Sequence, residues 1–450
     1  MTAAEDSAVG PQVMILGAGT QEAAQAPRRR RNAGPGCSDS SAGTPAPRRR
    51  SGPIRECRAR AGGARRDSKE ETSTMIQLRL PSGLAKLSIA TAAAAAMLLA
   101  LPQAASAQET YRMRIQAAVP AGAMSFEMLQ NFAKRVDTMS QGRLKVQVFG
   151  AGAIVPSPRI LDSVHRGVLE AGFAWPQFWG GKHPATSLFS NTPIWPMAGL
   201  DQMTHFAWMY KGGGLEMYHD LLQKVVGVNV VSFFVTPSGW QPLGWFNVPI
   251  ENMEQFKKVK YRSPPGLAGE IFKEAGVSAV FMSGEEIIPA AERKVIDAAE
   301  WINPVEDLAF GFQQAFKRYY LASIHQFIDV GEIVINKDFF DKLPKDIQEI
   351  VRTAAQATML ETYYNDIVRN AETIKILKEK YNIQIAPTPP DVHAALMAAA
   401  GRVLEKRGAE DAYYKKVLDS QRDFARKVAP WWGEVLKIYH DLAKDAVIKP

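Results

Sequence analysis

Beyond residue 107 the chain contains no cysteine: its two thiols, Cys37 and Cys57, both lie upstream. The 343 residues that follow therefore carry neither a disulfide nor thiolate chemistry. A chain of that length can build two ordinary domains without a covalent staple. An excess of charge of one sign is lacking too. Residues 108–450 hold 39 Lys and Arg against 38 Asp and Glu, so the basic balance of the whole chain comes from its first 107 residues. That excludes a nucleic-acid partner recognised through a basic face. After residue 108 no apolar run reaches the ~20 residues that a membrane crossing takes.

Catalytic signatures are missing as well. The sequence has no G-x-S-x-G, H-E-x-x-H, G-x-x-x-x-G-K-[ST] or C-x-x-C, and Gly150-Ala151-Gly152 lacks the third glycine of a dinucleotide fingerprint. The histidines at 165, 183, 205, 219, 325, 393 and 440 are scattered without metal-ligand spacing. An enzyme reading has little to rest on.

What is present begins with an export signal. Residues 87–101 are apolar and uncharged, follow Arg79 and Lys86, and precede Ala105-Ser106-Ala107. A basic start, a short apolar centre and small residues at a cleavage site describe a secretory signal peptide, here 75–107, cut near Ala107. Residues 1–74, rich in Arg, Ala, Gly, Pro and Ser, have no apolar period and cannot bury a core. They read as a misplaced or disordered leader, with Met75 as the expected initiator.

Downstream, residues 111–118 and 143–149 alternate as strands, with an amphipathic helix over 124–140 between them. A helix over 158–167 leads to a buried strand at 169–175. Strands alternating with helices predict an α/β fold. One pattern occurs twice. Ile160, Leu161, Val164, Val168 and Leu169 have the same spacing as Ile287, Ile288, Ala291, Val295 and Ile296, and each set is followed by an acidic residue and alanine. Two similar lobes, each with its own sheet, are the economical reading, with a ligand site between them. The stretch 231–247 reads as a strand leaving one lobe for the other, and 330–336 as the return. The expected division is 108–235 for the first part of lobe I, 236–329 for lobe II and 330–385 for the return to lobe I. Helices over 386–450 would cover both lobes. They follow a long helix near 345–380, and a last helix should start after Pro430.

The segment 296–312 stands out because it presents Glu300, Trp301, Asn303, Pro304, Glu306 and Asp307 at a strand end. A carboxylate there needs a partner, since an unpaired buried charge is costly. The run Glu300-Trp301-x-x-Pro304-x-x-Asp307-Leu308-Ala309-Phe310-Gly311 resembles the signature of substrate-binding proteins of TRAP (tripartite ATP-independent periplasmic) transporters. Its branch is the one associated with 2-oxo acids, mannitol or chloroaromatic compounds. Further matching stretches are Gly167–Trp175, Gly212-Gly213-Gly214, Gln241 with Gly244–Phe246, Lys260-Tyr261-Arg262 with Gly266 and Gly269, and Lys337–Pro344.

The resemblance implies a two-lobed periplasmic-binding-protein fold of type II-like, discontinuous domains with long C-terminal helices. It implies capture of a small organic acid and its delivery to the transporter's membrane subunits. The family's pocket arginine falls on Arg262, whose planar fork of donors matches a carboxylate. In the 2-oxo acid branch a metal ion bridges ligand and protein, and its ligands fall on Gln241, Glu300 and the main chain of Trp301. These are oxygen donors, as Na⁺ or Ca²⁺ requires. Trp175, Phe178, Trp179, Trp240 and Trp245 are candidates for the apolar wall, and His325 for a further contact. The chain departs from its relatives in two stretches. Ile324-His325-Gln326-Phe327-Ile328 stands where Trp-His-Glu-Pro-Gly is common, and Asn303-Pro304-Val305-Glu306-Asp307 where Gly-Pro-Tyr-Asn-Asp is frequent. Two other readings use the same cleft: a secreted enzyme with Glu300 or His325 as base, and a ligand-binding input for a membrane sensor. A homodimer through the last helix, with Trp431, Trp432, Leu436 and Tyr439, is a further expectation.

Overall fold

The computed structural model describes residues 109–190 and 200–445, so the leader and the signal peptide lie outside the described residues. The fold opens with β1 (Tyr111–Ala117), α1 (Met124–Met139), β2 (Leu144–Phe149), α2 (Ile160–His165) and β3 (Ala171–Ala174). The central part holds α3 (Gln202–Lys211), β4 (Val230–Pro237), β5 (Gly244–Phe246), β6 (Lys260–Ser263), α4 (Leu267–Glu274), β7 (Ser278–Phe281), α5 (Gly284–Glu292), β8 (Ala298–Ala299), α6 (Pro304–Phe310) and β9 (Arg318–Leu321). It ends with β10 (Val330–Asn336), α7 (Lys345–Glu379), β11 (Gln384–Pro387), α8 (Pro390–Glu410) and α9 (Ala412–Asp445).

The strands form two sheets, ordered β2-β1-β3-β10-β4 and β11-β9-β5-β8-β6-β7. In the first, β1 runs parallel to β2 and β3, and β10 is antiparallel to β3 and β4. In the second, β6 runs parallel to β7 and β8, and β5 is antiparallel to β8 and β9. The two sheets thus repeat one order and one set of directions, and β11 adds an edge to the second. This accounts for the internal repeat: each copy is a helix feeding the strand that joins the parallel and antiparallel parts of its sheet. Ile160 and Ile287 are fully buried, whereas Val168 and Val295 are 50% and 55% exposed in the turn that follows each helix. The eighth offset of the pattern therefore marks a turn and not the core.

Close packing holds each copy together. A Cβ on Gly172 would lie 2.2 Å from Cγ2 of Ile160, so only glycine lets α2 settle on β3. Gly244 opens β5 at φ +115°, where a Cβ would meet the Ala299 carbonyl oxygen at 2.4 Å. The first sheet is buried on β3, β4 and β10 along their whole length, because α1, α2 and α7 cover it.

The chain crosses between the sheets at 238–243 and returns at 322–329, and backbone bonds tie these segments side by side. Ser238 donates its N–H to the Asp329 carbonyl at 2.8 Å, and Ser323 to the Gln241 carbonyl at 3.0 Å. A third crossing, after α7, brings β11 parallel to β9, where the expected return to lobe I over 330–385 provides for no such strand. From there α8 packs on α4, and α9 on α8 and α3. The last helix does not start after Pro430. It begins at Ala412 and carries Pro430 inside. A proline deletes one backbone donor, and here the helix continues through it. Among the described residues no helix is long and apolar enough to cross a membrane.

Candidate ligand-binding site

Arg262 lies on β6 opposite Ala299 of β8, so its side chain meets the residues that leave β8. It is only 2% exposed, and Glu300 is fully buried. Nη1 of Arg262 donates to the Glu300 carboxylate at 3.0 Å and also to the Glu300 main-chain carbonyl. Nε donates to the Met282 carbonyl at 3.2 Å. The guanidinium carbon sits 5.1 Å from the centre of the Trp301 ring, an attractive cation–π distance. Nη2 meets no acceptor among the described residues. Two of the three guanidinium nitrogens are thus engaged by the protein, and Arg262 lines the space between the lobes.

Burial drives the Glu300 carboxyl well above its usual range, with Arg262 opposing the shift and Asp307 and Asp329 adding to it. Burial likewise lowers Arg262, and Glu300 opposes that. Each opposes the shift that burial imposes on the other. One oxygen of the Glu300 carboxylate, Oε1, has no hydrogen-bond donor, and neither has Oε1 of the buried Gln241.

Two cavities share Phe178, Arg262 and Trp301 in their walls. The smaller, about 20 Å³, is lined by Trp175, Gln177, Gln241, Arg262, Trp301 and Asp329 among others. Its neighbour, about 80 Å³, is walled by Ala118, Pro158, Phe178, Arg262, Phe281 and Trp301 among others. The first has room for one water-sized occupant, the second for a molecule of a few heavy atoms. Their walls come from both lobes. The lobes are also pinned beside the site. Glu306 of α6 accepts from the Ser125 N–H at the start of α1 at 2.7 Å, and Asn303 donates to Asp366 of α7 at 3.0 Å.

The structure brings together Arg262, Glu300, Trp301, Gln241, Trp175 and Phe178. It sets other candidates elsewhere. Trp245 is buried within the second lobe, donating its indole N–H to Asp307 at 2.7 Å and packing on Tyr319. Trp179 is in the first lobe's core and donates to Glu332 at 2.8 Å. Trp240 is 67% exposed and borders a different, largely apolar cleft of about 520 Å³ with Pro242, Leu321, Tyr363 and Ile367. That cleft lacks a cation to meet an acid. His325 is buried against Phe272 with Nδ1 on the Ser323 hydroxyl at 2.7 Å. Burial pulls its pKa down to about 3, so it is neutral at ordinary pH and does not border either cavity. Sequence reasoning missed Gln177, Gln326 and Asp329, which do line the smaller cavity. The only sequence signal near them was the departure at 324–328. Among the described residues no group of three or more His, Cys, Asp or Glu could hold a metal ion; any cation here would need amide and main-chain oxygens.

Residues 115–411 match the family described as bacterial extracellular solute-binding protein, family 7, DctP. The chain belongs to that family. This solute-binding protein is 31% identical over 324 residues to a monocarboxylate 2-oxoacid-binding periplasmic protein of Nostoc sp., covering 71% of this chain and 85% of that one. Two solved structures are also similar, each with a TM-score of 0.68 and 28% identity, covering 74% of this chain and 99% of theirs. Both are TRAP periplasmic solute-binding proteins: one from Pseudoalteromonas atlantica with bound sodium and pyruvate, the other from Colwellia psychrerythraea with bound calcium and pyruvate. The α/β, two-lobed fold class expected from the sequence is the fold of these proteins. The family's role is capture and delivery of a solute to membrane subunits, and not catalysis. The enzyme and sensor readings fall away.

Proposed function

We propose that this solute-binding protein captures a small monocarboxylate, a 2-oxo acid of about the size of pyruvate. It does so in the periplasm, after a signal peptide is removed near Ala107, and hands the acid to the membrane subunits of a TRAP transporter. The observation that carries the ligand class is an imbalance of donors. Among the described residues Nη2 of Arg262 has no acceptor, yet Oε1 of Glu300 and Oε1 of Gln241 are buried acceptors without donors. A carboxylate is itself an acceptor only, so it cannot satisfy them. An acid in this cleft needs positive charge between its oxygens and those of the protein.

The residues fit a hard cation of the Na⁺ or Ca²⁺ kind, which takes oxygen ligands. Gln241, Glu300 and the main-chain carbonyl of Trp301 would hold it, and when bound it would supply the positive charge that the acceptors lack. Arg262 orients the acid through Nη2. Trp175, Phe178 and Trp301 exclude water, which strengthens every charged contact inside. Ligand affinity for the closed form then draws the lobes together about 238–243 and 322–329.

Calorimetric titration of pyruvate into chelator-treated protein tests this reading. Heat should appear only when Na⁺ or Ca²⁺ is returned. Equal affinity in the chelator would overturn the cation, and no binding of any 2-oxo acid under either condition would overturn the ligand class.

A homodimer is the second part of the reading. The support is that α9 exposes Trp431, Leu436, Ile438, Tyr439 and Leu442, while Trp240 and Ile367 expose another apolar face. Two unpartnered apolar faces on one chain can be covered reciprocally by a second copy.

A further inference from the structure

Three buried glutamines converge on one carboxylate. Gln177 donates Nε2 to Oδ1 of Asp329 at 2.8 Å, Gln326 donates to the same oxygen at 3.2 Å, and Gln241 donates to Oδ2 at 3.0 Å. All four residues are at most 3% exposed and line the small cavity that Arg262 and Trp301 also border. A carboxylate accepts and does not donate, so each amide must turn its NH₂ toward Asp329 and its carbonyl oxygen away. All three of those Oε1 atoms are buried and find no donor.

Three unserved acceptors thus belong to residues lining a space of about 20 Å³, and a fourth, Oε1 of Glu300, belongs to the ion-pair partner of Arg262, which lines it too. Leaving one buried acceptor unpaired already costs stability. Three on one cavity's lining, with a fourth on a residue bonded to that lining, point to an occupant that the protein does not supply. The acceptors are oxygens, three of them neutral, which is the chemistry of a hard cation and not of a soft or nitrogen-seeking metal.

We propose that Asp329 is the positioning residue of an enlarged cation site in which Gln177 and Gln326 supply amide oxygens beside those of Gln241 and Glu300. The inference rests on the cation-bridged reading above and adds the residues that select and orient the ion. The donors come from three parts of the fold: Gln177 from the turn after β3, Gln241 and Gln326 from the two crossings, and Glu300 from the end of β8. The full set is assembled only when the lobes are closed. Cation binding and closure therefore favour each other.

The test uses the full chain, stripped of metal, with Ca²⁺ as probe in the presence of excess pyruvate. Wild type is compared with Asp329→Asn, Gln326→Met and Gln177→Met by calorimetry and by the melting shift that Ca²⁺ induces. Loss of an outer-shell partner typically costs 10–100-fold in metal affinity, so Asp329→Asn should weaken Ca²⁺ about 10–100-fold and shrink its melting shift. Each methionine variant should weaken it similarly. In the Asp329→Asn background the added loss from Gln326→Met should be smaller than in wild type, since one acts through the other. If Asp329→Asn does not fold, the two methionine variants decide. A wild type that needs Ca²⁺ for pyruvate while all three variants bind Ca²⁺ unchanged would overturn this inference and leave the cation-bridged reading standing. A wild type indifferent to chelation would overturn that reading instead. Tight, cation-free binding of alanine, whose ammonium group could serve the same oxygens, would show that the glutamines meet an amine and not a metal.

Discussion

Arg262 gives Nη1 to the Glu300 carboxylate at 3.0 Å and keeps Nη2 for no protein group among the described residues. One side chain is thus both the partner of a buried acid and, among the described residues, the only cationic group lining the two cavities. The two duties separate experimentally.

Arg262→Ala should lose both. Removing one partner of a buried ion pair costs about 3–5 kcal/mol of stability, which a thermal melt would register. Truncating a buried charged contact to the ligand costs about 2–5 kcal/mol, or roughly 30- to several-thousand-fold in affinity. Arg262→Lys keeps the charge and loses the fork, so it should fall near the low end in both measurements. Pyruvate affinity unchanged in Arg262→Ala would remove Arg262 from the site.

Glu300→Gln keeps an acceptor for Arg262 but deletes the negative charge. Affinity for pyruvate should fall, and its dependence on Na⁺ or Ca²⁺ should disappear, measured by calorimetry across a cation series. A variant that kept wild-type cation dependence would return Glu300 to the role of a plain ion-pair partner.

A pH effect should come from Glu332, which lines neither cavity. It is fully buried on β10 and accepts from Trp179, Tyr218 and Ser232. Burial raises its pKa to about 7, against those hydrogen bonds. A carboxyl whose folded pKa lies above its unfolded one stabilises the protein most at low pH. Its contribution is full below about pH 4.5 and lost as pH rises through about 7, a change of roughly 3 kcal/mol. Urea unfolding at a series of pH values should show a steeper loss in wild type than in Glu332→Gln, where Asp307 and Asp329, raised by burial to about 7 and about 6, still titrate. A difference between the two that stayed flat from pH 4 to 8 would contradict it.

Tyr439→Asp together with Trp431→Asp should turn a dimer into a monomer in sedimentation, while pyruvate binding and the melting profile of the isolated subunit persist. A wild type that is monomeric at all concentrations would end the idea.

Much of the fold was legible before any coordinates. The alternation at 111–149 and the repeated helix–strand unit each depend on residues a few positions apart, and local period dictates local structure. Arg262, Gln241, Glu300 and Trp301 were found through a motif carried in short runs of chain. The aromatic wall was half legible. Tryptophans at 175, 179, 240 and 245 share a composition signal, but that signal says only that a residue tends to be buried, not what it is buried against. Trp175 faces the cleft, Trp179 and Trp245 anchor buried acids in the two lobes, and Trp240 lies on the outside.

By itself, then, the sequence determined the repeated helix–strand unit, the passage between the sheets within 231–247 and the return strand at 330–336, because each is written in neighbouring residues. Only the tertiary structure decided that β11 returns to the second sheet and that α9 runs through Pro430. It alone united Gln177, Gln241 and Gln326 on Asp329, across as many as 152 positions. The physical reason is that glutamine amides carry no charge and no period. Their orientation is set by the one carboxylate they share, and only folding brings that carboxylate within reach of all three.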